Sequence, residues 1–360
     1  MDLPEVAKLR DEINAGKILA PRLFYAGTVI NGEGEKRESN RWTGNSVQVK
    51  TADEARAAVE SLYRAGADYI KTEKLLPPEI LKEVIAAAHK HKMRVVAVPP
   101  SFVMDASNDG LDCVEHFVEL YRTTSTKRDE YYAFYRDRKT FRSADEAYAF
   151  FKPLRDTRDQ SYYDQTLQTM ARNKTFLVTN FAEQGHSMET RELADSSRRR
   201  FKTKKQLEQL DAAIKEKEHQ RLNRDFRTDE KAWKGLLQDI ADLHKAGVML
   251  LAGTQLNITE PSSPGIMLHD ELYWFVQAGL SPFEALKTAT INPAIFMRRE
   301  KDLGTIEKGK LADLVLLDAN PLQDISNTRR INAVVANGRL LDRKTLDKML
   351  ADVEAAAKQK

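Results

Sequence analysis

Three side chains stand where short apolar runs end, the place at which α/β chains present reactive groups. Lys71 follows Ala67-Asp68-Tyr69-Ile70, His116 follows Leu111-Asp112-Cys113-Val114-Glu115, and Gln255 follows Val248-Met249-Leu250-Leu251-Ala252 and a Gly253-Thr254 turn. By residue type alone, Lys71 reads as an internal salt bridge or a solvent-facing cation. His116 in its apolar setting reads as a hydrogen-bonded core imidazole. Gln255 points toward whatever site the turn builds, but an amide cannot serve as a general base near neutral pH. His89 and His91 are no chelating pair, because residues two apart on a helix point about 200° apart. His186 follows Gly185 on a polar stretch and reads as a surface loop residue, and His269 opens a helix. Cys113 is the single cysteine, so no intramolecular disulfide forms, and its apolar neighbours make it a packing residue. No G-x-S-x-G elbow, phosphate loop or dinucleotide fingerprint is found.

The elements that must position these groups alternate. Helical spacing of apolar residues predicts a helix over 4–16 with Val6, Leu9 and Ile13 on one face, then a strand over 21–27. A polar loop over 33–45 follows. Helices are predicted over 53–66, 78–92 and 231–247, and strands over 67–72, 94–100, 111–116, 175–180 and 248–252. Residues 119–165 interleave tyrosines and phenylalanines with Arg, Lys and Asp. Basic and aromatic mixing can bind nucleic acid, but acidic residues are as frequent here, so a helical insertion or lid, about 119–227, is the expected form. The basic run over 197–205 reads as a solvated helix face. After the last apolar run come two helices, broken at Asn292-Pro293, a pair of strands over 304–318 and one or two more over 331–341.

Composition sets outer limits. The chain has 360 residues and a formal net charge of +3, which points to no nucleic-acid partner. No run approaches the roughly 20 apolar residues needed to span a bilayer, and the first residues do not read as a signal peptide, which leaves the compartment open.

The succession AGVMLLAGTQ, LHDELYWFVQAGLSPFEALKTATINPA and LGTIEKGKLADLVLLDANPLQDISNTRRINAVVANGRLLDR, over 246–342, resembles the carboxyl-terminal third of the amidohydrolase superfamily, nearest its imidazolonepropionase-like and Xaa-Pro-dipeptidase-like branch. The resemblance implies a (β/α)8 TIM-type barrel over about 1–300, a small partial β-domain over 301–345, and a helix or tail over 346–360. It implies zinc or another divalent metal, hydrolysis of C–N bonds in an amide, cyclic amide or dipeptide, and a small-molecule substrate. The first helix and strand match the family's second helix and third strand, so the barrel is expected to be incomplete at the N-terminus. A homo-oligomer or a complementing chain is the partner such a barrel calls for.

By the same resemblance Lys71, in its Ala-Asp-x-Ile-Lys string, is a carbamylated or direct metal ligand. His116, in a Glu-His-Phe string where relatives have Glu-His-Gly, is another. Departures stand beside these matches. A relative's metal-binding His falls at or next to Val98, and the catalytic Asp of the eighth strand corresponds to Gln255. A catalytic zinc ordinarily takes three protein ligands and a water, and Lys71 and His116 are only two. Two readings therefore stand: a metal-dependent amidohydrolase with a degenerate site, and a catalytically inactive homologue or fragment that binds or assembles.

Overall fold

The computed structural model describes residues 3–33, 46–137, 139, 141, 144–181, 199–223, 230–255 and 265–359. His186 and the start of the basic run lie outside the described residues. The chain divides into two compact units, residues 1–178 with 243–250, and residues 179–242 with 251–360.

The first unit is built on short strands: β1 (Val29–Asn31), β2 (Ser46–Gln48), β3 (Ile70–Thr72), β4 (Val95–Ala97), β5 (Cys113–Glu115) and β6 (Phe176–Val178). With β7 (Leu250–Leu251), along which the chain passes from the first unit to the second, they form a seven-stranded sheet in the order β2-β1-β3-β4-β5-β6-β7. The pairs from β2–β1 through β5–β6 are parallel. Central strands of such a sheet are covered on both faces, which is why they carry unbroken apolar runs. Ile30, Ile70, Val95, Ala97, Val114 and Leu177 are all fully buried. Each fully buried aliphatic side chain of valine size or larger contributes about 1.5–3 kcal/mol.

Helices cross between the strands. In the Ala52–Arg64 helix, Ala55, Ala58, Val59 and Leu62 recur at three and four residue steps and form the buried face. Thr51 and Glu54 close a capping box at its start. The Pro78–Lys90 helix starts with Pro78, where no intrahelical N–H is required, and buries Ile80, Leu81, Val84, Ile85, Ala87 and Ala88. Gly32, just past β1, has to be glycine: a Cβ there would overlap the Leu75 carbonyl in the segment after β3.

Two expected strands are not there. Residues 21–27 join no ladder. Tyr25 N–H donates to the Asp68 carboxylate at 3.0 Å and its carbonyl accepts from Asp68 N–H at 2.9 Å. One residue is thereby fastened and no ladder propagates, and the strand begins instead at Val29. The pair expected over 304–318 reduces to one strand, β8 (Leu314–Leu317), because Gly304 and Gly309 both take positive φ and turn the chain before it.

The aromatic segment is helical, with Val118–Thr124, Arg128–Arg136, Ala144–Asp156 and Gln160–Asn173 preceding β6. Its rings pack on one another: Phe134 lies 4.4 Å from Phe141 and 4.8 Å from Phe150, centroid to centroid. The Arg122 guanidinium lies 4.7 Å from the Phe151 centroid. Aromatic and basic residues here serve each other, by ring packing and cation–π contact.

In the second unit, Phe181 stacks on Trp233 at 4.6 Å and Trp233 meets Trp274 edge-on at 4.8 Å, joining the Glu230–Lys245 and Ile266–Gln277 helices. The chain ends in an antiparallel sheet, β10-β9-β8, of β8, β9 (Ile331–Ala336) and β10 (Arg339–Leu341), and the Arg343–Lys358 helix.

Candidate functional site

Parallel register places Lys71 beside Val96 and Val96 beside Cys113. Paired residues share a sheet face and alternate residues repeat it, so Lys71, Glu73, Val96, Cys113 and Glu115 belong to one face. β3 and β5 are two strand spacings apart, about 10 Å, and β4 between them contributes only Val96 to this row, with buried Val98 just past its end. A lysine and a glutamate side chain together are long enough to reach across. The Lys71 ammonium ion-pairs with Glu115 and, at 3.5 Å, with Glu73. Burial pulls the Lys71 pKa below the ordinary lysine range, and Glu73 opposes it. Cys113 lies at the base of this row, and burial pushes its thiol up to about 12, as befits a packing residue.

His116 ends β5 in the left-handed region, at φ 70°. Its carbonyl accepts from Glu119 N–H at 3.1 Å, and this turns the strand into the Val118–Thr124 helix. Burial, aided by the positive charge of Lys71, lowers the imidazole pKa to about 4, so His116 is neutral at pH 7.

Behind it lies a buried ionic network that residue spacing did not reveal. Glu119 is 1% exposed. It accepts from Arg122 at 2.7 Å and from the Tyr131 hydroxyl at 2.9 Å, with the Lys74 ammonium at 3.4 Å. Burial alone would raise its carboxyl, but Lys74 and Arg122 outweigh it and bring the pKa down to about 2. The Glu119–Arg122 pair had a signal in its i, i+3 spacing; Tyr131 and Lys74 had none, since folding alone brings them there. Glu73 could have been found from its two-residue step to Lys71 on a strand.

Gln255 belongs to the second unit, also in the left-handed region, at φ 43°. Its side-chain oxygen accepts from Asn180 Nδ2 at 2.9 Å. Asn180, just past β6, has φ 52° and is 3% exposed. The turn around Asn180 is held by Glu271, fully buried on the Ile266–Gln277 helix, which accepts from the Thr179 hydroxyl and from Phe181 N–H at 3.0 Å. Thus the chain takes a left-handed non-glycine residue one position past β5, two past β6 and four past β7. Such positions cost of order 1–3 kcal/mol each and gather at functional sites.

His89, His91 and His269 have structural partners. His89 bonds Asp112 and His91 bonds Glu60, each at 2.8 Å, on separate elements as their helical spacing requires. His269 bonds the Thr328 hydroxyl at 2.9 Å.

The donor set does not fit the metal centre that the family resemblance implies. The Lys71 amine is engaged by two carboxylates, Glu115 and Glu73, and Gln255 already accepts from Asn180. Among the described residues no three His, Cys, Asp or Glu side chains are placed to share one ion. Nor, among them, is any helix long and apolar enough to cross a membrane.

The amidohydrolase family model matches residues 200–341. Imidazolonepropionase of Shouchella clausii is 34% identical over 94 residues, 25% of this chain and 21% of that protein. Ochratoxinase of Aspergillus niger is 35% identical over 108 residues, 27% of this chain and 21% of that protein. The chain thus spans 21% of the length of each of these curated relatives. Among solved structures, a bottromycin amidohydrolase superposes with a TM-score of 0.74 at 20% identity, covering 98% of this chain and 72% of that one. A Xaa-Pro dipeptidase superposes at 0.59 with 21% identity, covering 94% and 72%. These structural likenesses carry the fold, a TIM-barrel-type α/β architecture. The segment matched in sequence, residues 200–341, is that of the amidohydrolase superfamily, on its imidazolonepropionase-like branch.

Proposed function

We propose that this chain hydrolyses C–N bonds in small amides, cyclic amides or dipeptides, at the carboxyl ends of its parallel strands. The observation that carries the reading is the ionisable group set Lys71, Glu115 and His116 at the ends of β3 and β5, where sheets of this kind bind ligands. The amidohydrolase match over residues 200–341 supports the reaction class. In this reading His116, neutral at pH 7, takes a proton from the attacking water. The Lys71 ammonium stabilises the oxyanion that forms on the carbonyl carbon. His116 then returns the proton to the departing nitrogen as the C–N bond breaks.

The test is a panel of N-acyl amino acids, cyclic amides and dipeptides, assayed with the purified chain, with and without added zinc, alongside its metal content by elemental analysis. Turnover that falls about 10²-fold in His116→Ala, in line with loss of a general base, supports the proposal. Absence of turnover across the panel in both conditions would overturn hydrolysis and favour the second reading, a homologue that binds without reacting, toward which the amide at Gln255 points.

A further inference from the structure

A cleft of about 740 Å³ opens in the first unit, walled by the segments that follow β3 and β4 and by the Arg128–Arg136 helix. Small-molecule sites range over roughly 300–1,000 Å³ and are mostly apolar, with a few polar groups. Its lining does not include Lys71, Glu115 or His116, so the strand-end chemistry leaves this volume unassigned. Pro77, Pro78, Pro100, Phe102, Tyr132 and Tyr135 give it stiff apolar walls. Phe102 meets Tyr132 edge-on at 4.6 Å, forming a corner of two rings. The Tyr135 face is already taken, with Lys74 Nζ 4.6 Å from its centroid, so the corner is the ring surface left to a ligand.

The charges on the lining cancel. Lys74, Lys82 and Arg136 stand with Glu79, Asp105 and Asp109, three of each sign. Lys74 pairs with Glu119 at 3.4 Å, Lys82 with Asp109 at 3.0 Å, and Arg136 with Asp137 at 3.2 Å. Lys82 also acts on Asp105. Glu79 lies in the first turn of the Pro78–Lys90 helix, where the positive end of the helix dipole meets a carboxylate. A ligand that carries a charge finds no uncompensated opposite charge here, yet still loses hydration on entering. A neutral ring escapes that cost and gains the edge and face contacts of the corner. Ser101 and Asn108 put uncharged hydrogen-bonding groups on the same lining.

We propose that this cleft binds an uncharged, ring-bearing small molecule, with the ring in the corner of Phe102 and Tyr132 and a neutral polar group, a carboxamide or an alcohol, hydrogen-bonded by Ser101 or Asn108. The site stands or falls independently of hydrolysis at the strand ends.

Isothermal titration of the full chain tests it with molecules that share one phenyl ring: uncharged phenylpropionamide, anionic phenylpropionate, cationic phenethylammonium and zwitterionic phenylalanine. The amide is expected to bind saturably, and at least several-fold more tightly than each of the others. Phe102→Leu, which removes one wall of the corner, is expected to weaken the amide about threefold to tenfold. The Asp105→Asn, Asp109→Asn double variant, at two positions outside the core, uncovers Lys82. Phenylpropionate is then expected to gain about twofold to fivefold, with the amide unchanged. A charged molecule binding the unaltered chain as tightly as the amide, no heat from the amide at millimolar concentration, or phenylpropionate affinity unmoved in the double variant would each overturn the proposal.

Discussion

The end of β5 is crowded with charge, whereas the ends of β6 and β7 present neutral amides. At β5, His116 turns the chain in the left-handed region and Glu119, Arg122, Lys74 and Tyr131 close a buried network behind it. At β6 and β7, Asn180 and Gln255 both take the left-handed conformation and bond each other, and the buried Glu271 carboxylate holds the turn around Asn180. The backbone geometry is shared and the chemistry is opposite. Left-handed strand ends therefore belong to the way this fold presents residues, and the side chains placed there decide whether the position is electrostatic or merely directional.

The charged end should be the costlier to break. Removing the carboxylate in Glu119→Gln leaves the buried Arg122 and the adjoining Lys74 uncompensated, and loss of about 3–5 kcal/mol is expected by urea unfolding at pH 7. The acid limb should change as well. With a folded pKa of about 2 against an ordinary 4.5, Glu119 contributes stability that is present above pH 4.5 and is lost as pH falls toward 2. His116, lowered to about 4, stabilises the fold above pH 6.5 and ceases to do so as pH falls through 4, because the unfolded chain takes up its proton first. Glu119→Gln should therefore flatten the stability profile between pH 4.5 and 2 and leave the segment between 6.5 and 4.5 in place. A profile unchanged below pH 4.5 would count against the network.

Within the same charged end, Lys71 and Glu115 form a more exposed pair, 14% and 25% accessible. Lys71→Met, Glu115→Gln and the double variant close a thermodynamic cycle, with an expected coupling of about 1–3 kcal/mol. Coupling below about 0.5 kcal/mol would mean that the ammonium is held by Glu73 or by a group bound from outside.

How much of this was readable beforehand follows from which interactions are local. The central strands and the helices between them were legible, because apolar periodicity and caps such as Thr51 with Glu54 are written in consecutive residues. Lys71, His116 and Gln255 were legible as strand-end residues for the same reason. Residues 21–27 read as a strand because Leu23, Phe24 and Tyr25 are apolar, and nothing nearby announced that Asp68 would take both backbone hydrogen bonds of Tyr25. Glu115 was visible only as the neighbour of His116; its partnership with Lys71 needs two strands to lie one apart from a third. Asn180, Glu271 and the cleft beside Phe102 likewise depend on contacts between residues up to 92 positions apart, as Thr179 and Glu271 are.

The neutral end offers the smallest effect and the sharpest contrast. Gln255→Ala removes one neutral hydrogen bond to Asn180 and keeps a left-handed non-glycine residue, so a loss of about 1 kcal/mol is expected. Gln255→Gly removes the same bond but relieves the left-handed conformation, worth about 1–2 kcal/mol, against roughly 0.5–1 kcal/mol of extra freedom in the unfolded glycine chain. The glycine variant should therefore be at least as stable as the alanine variant, the reverse of their order at an ordinary position. If alanine is the more stable of the two in urea unfolding, the residue relaxes out of the left-handed region at little cost. The three strand ends would then share a shape without sharing a constraint, and the argument that they were built for presenting side chains would rest on the charged end alone.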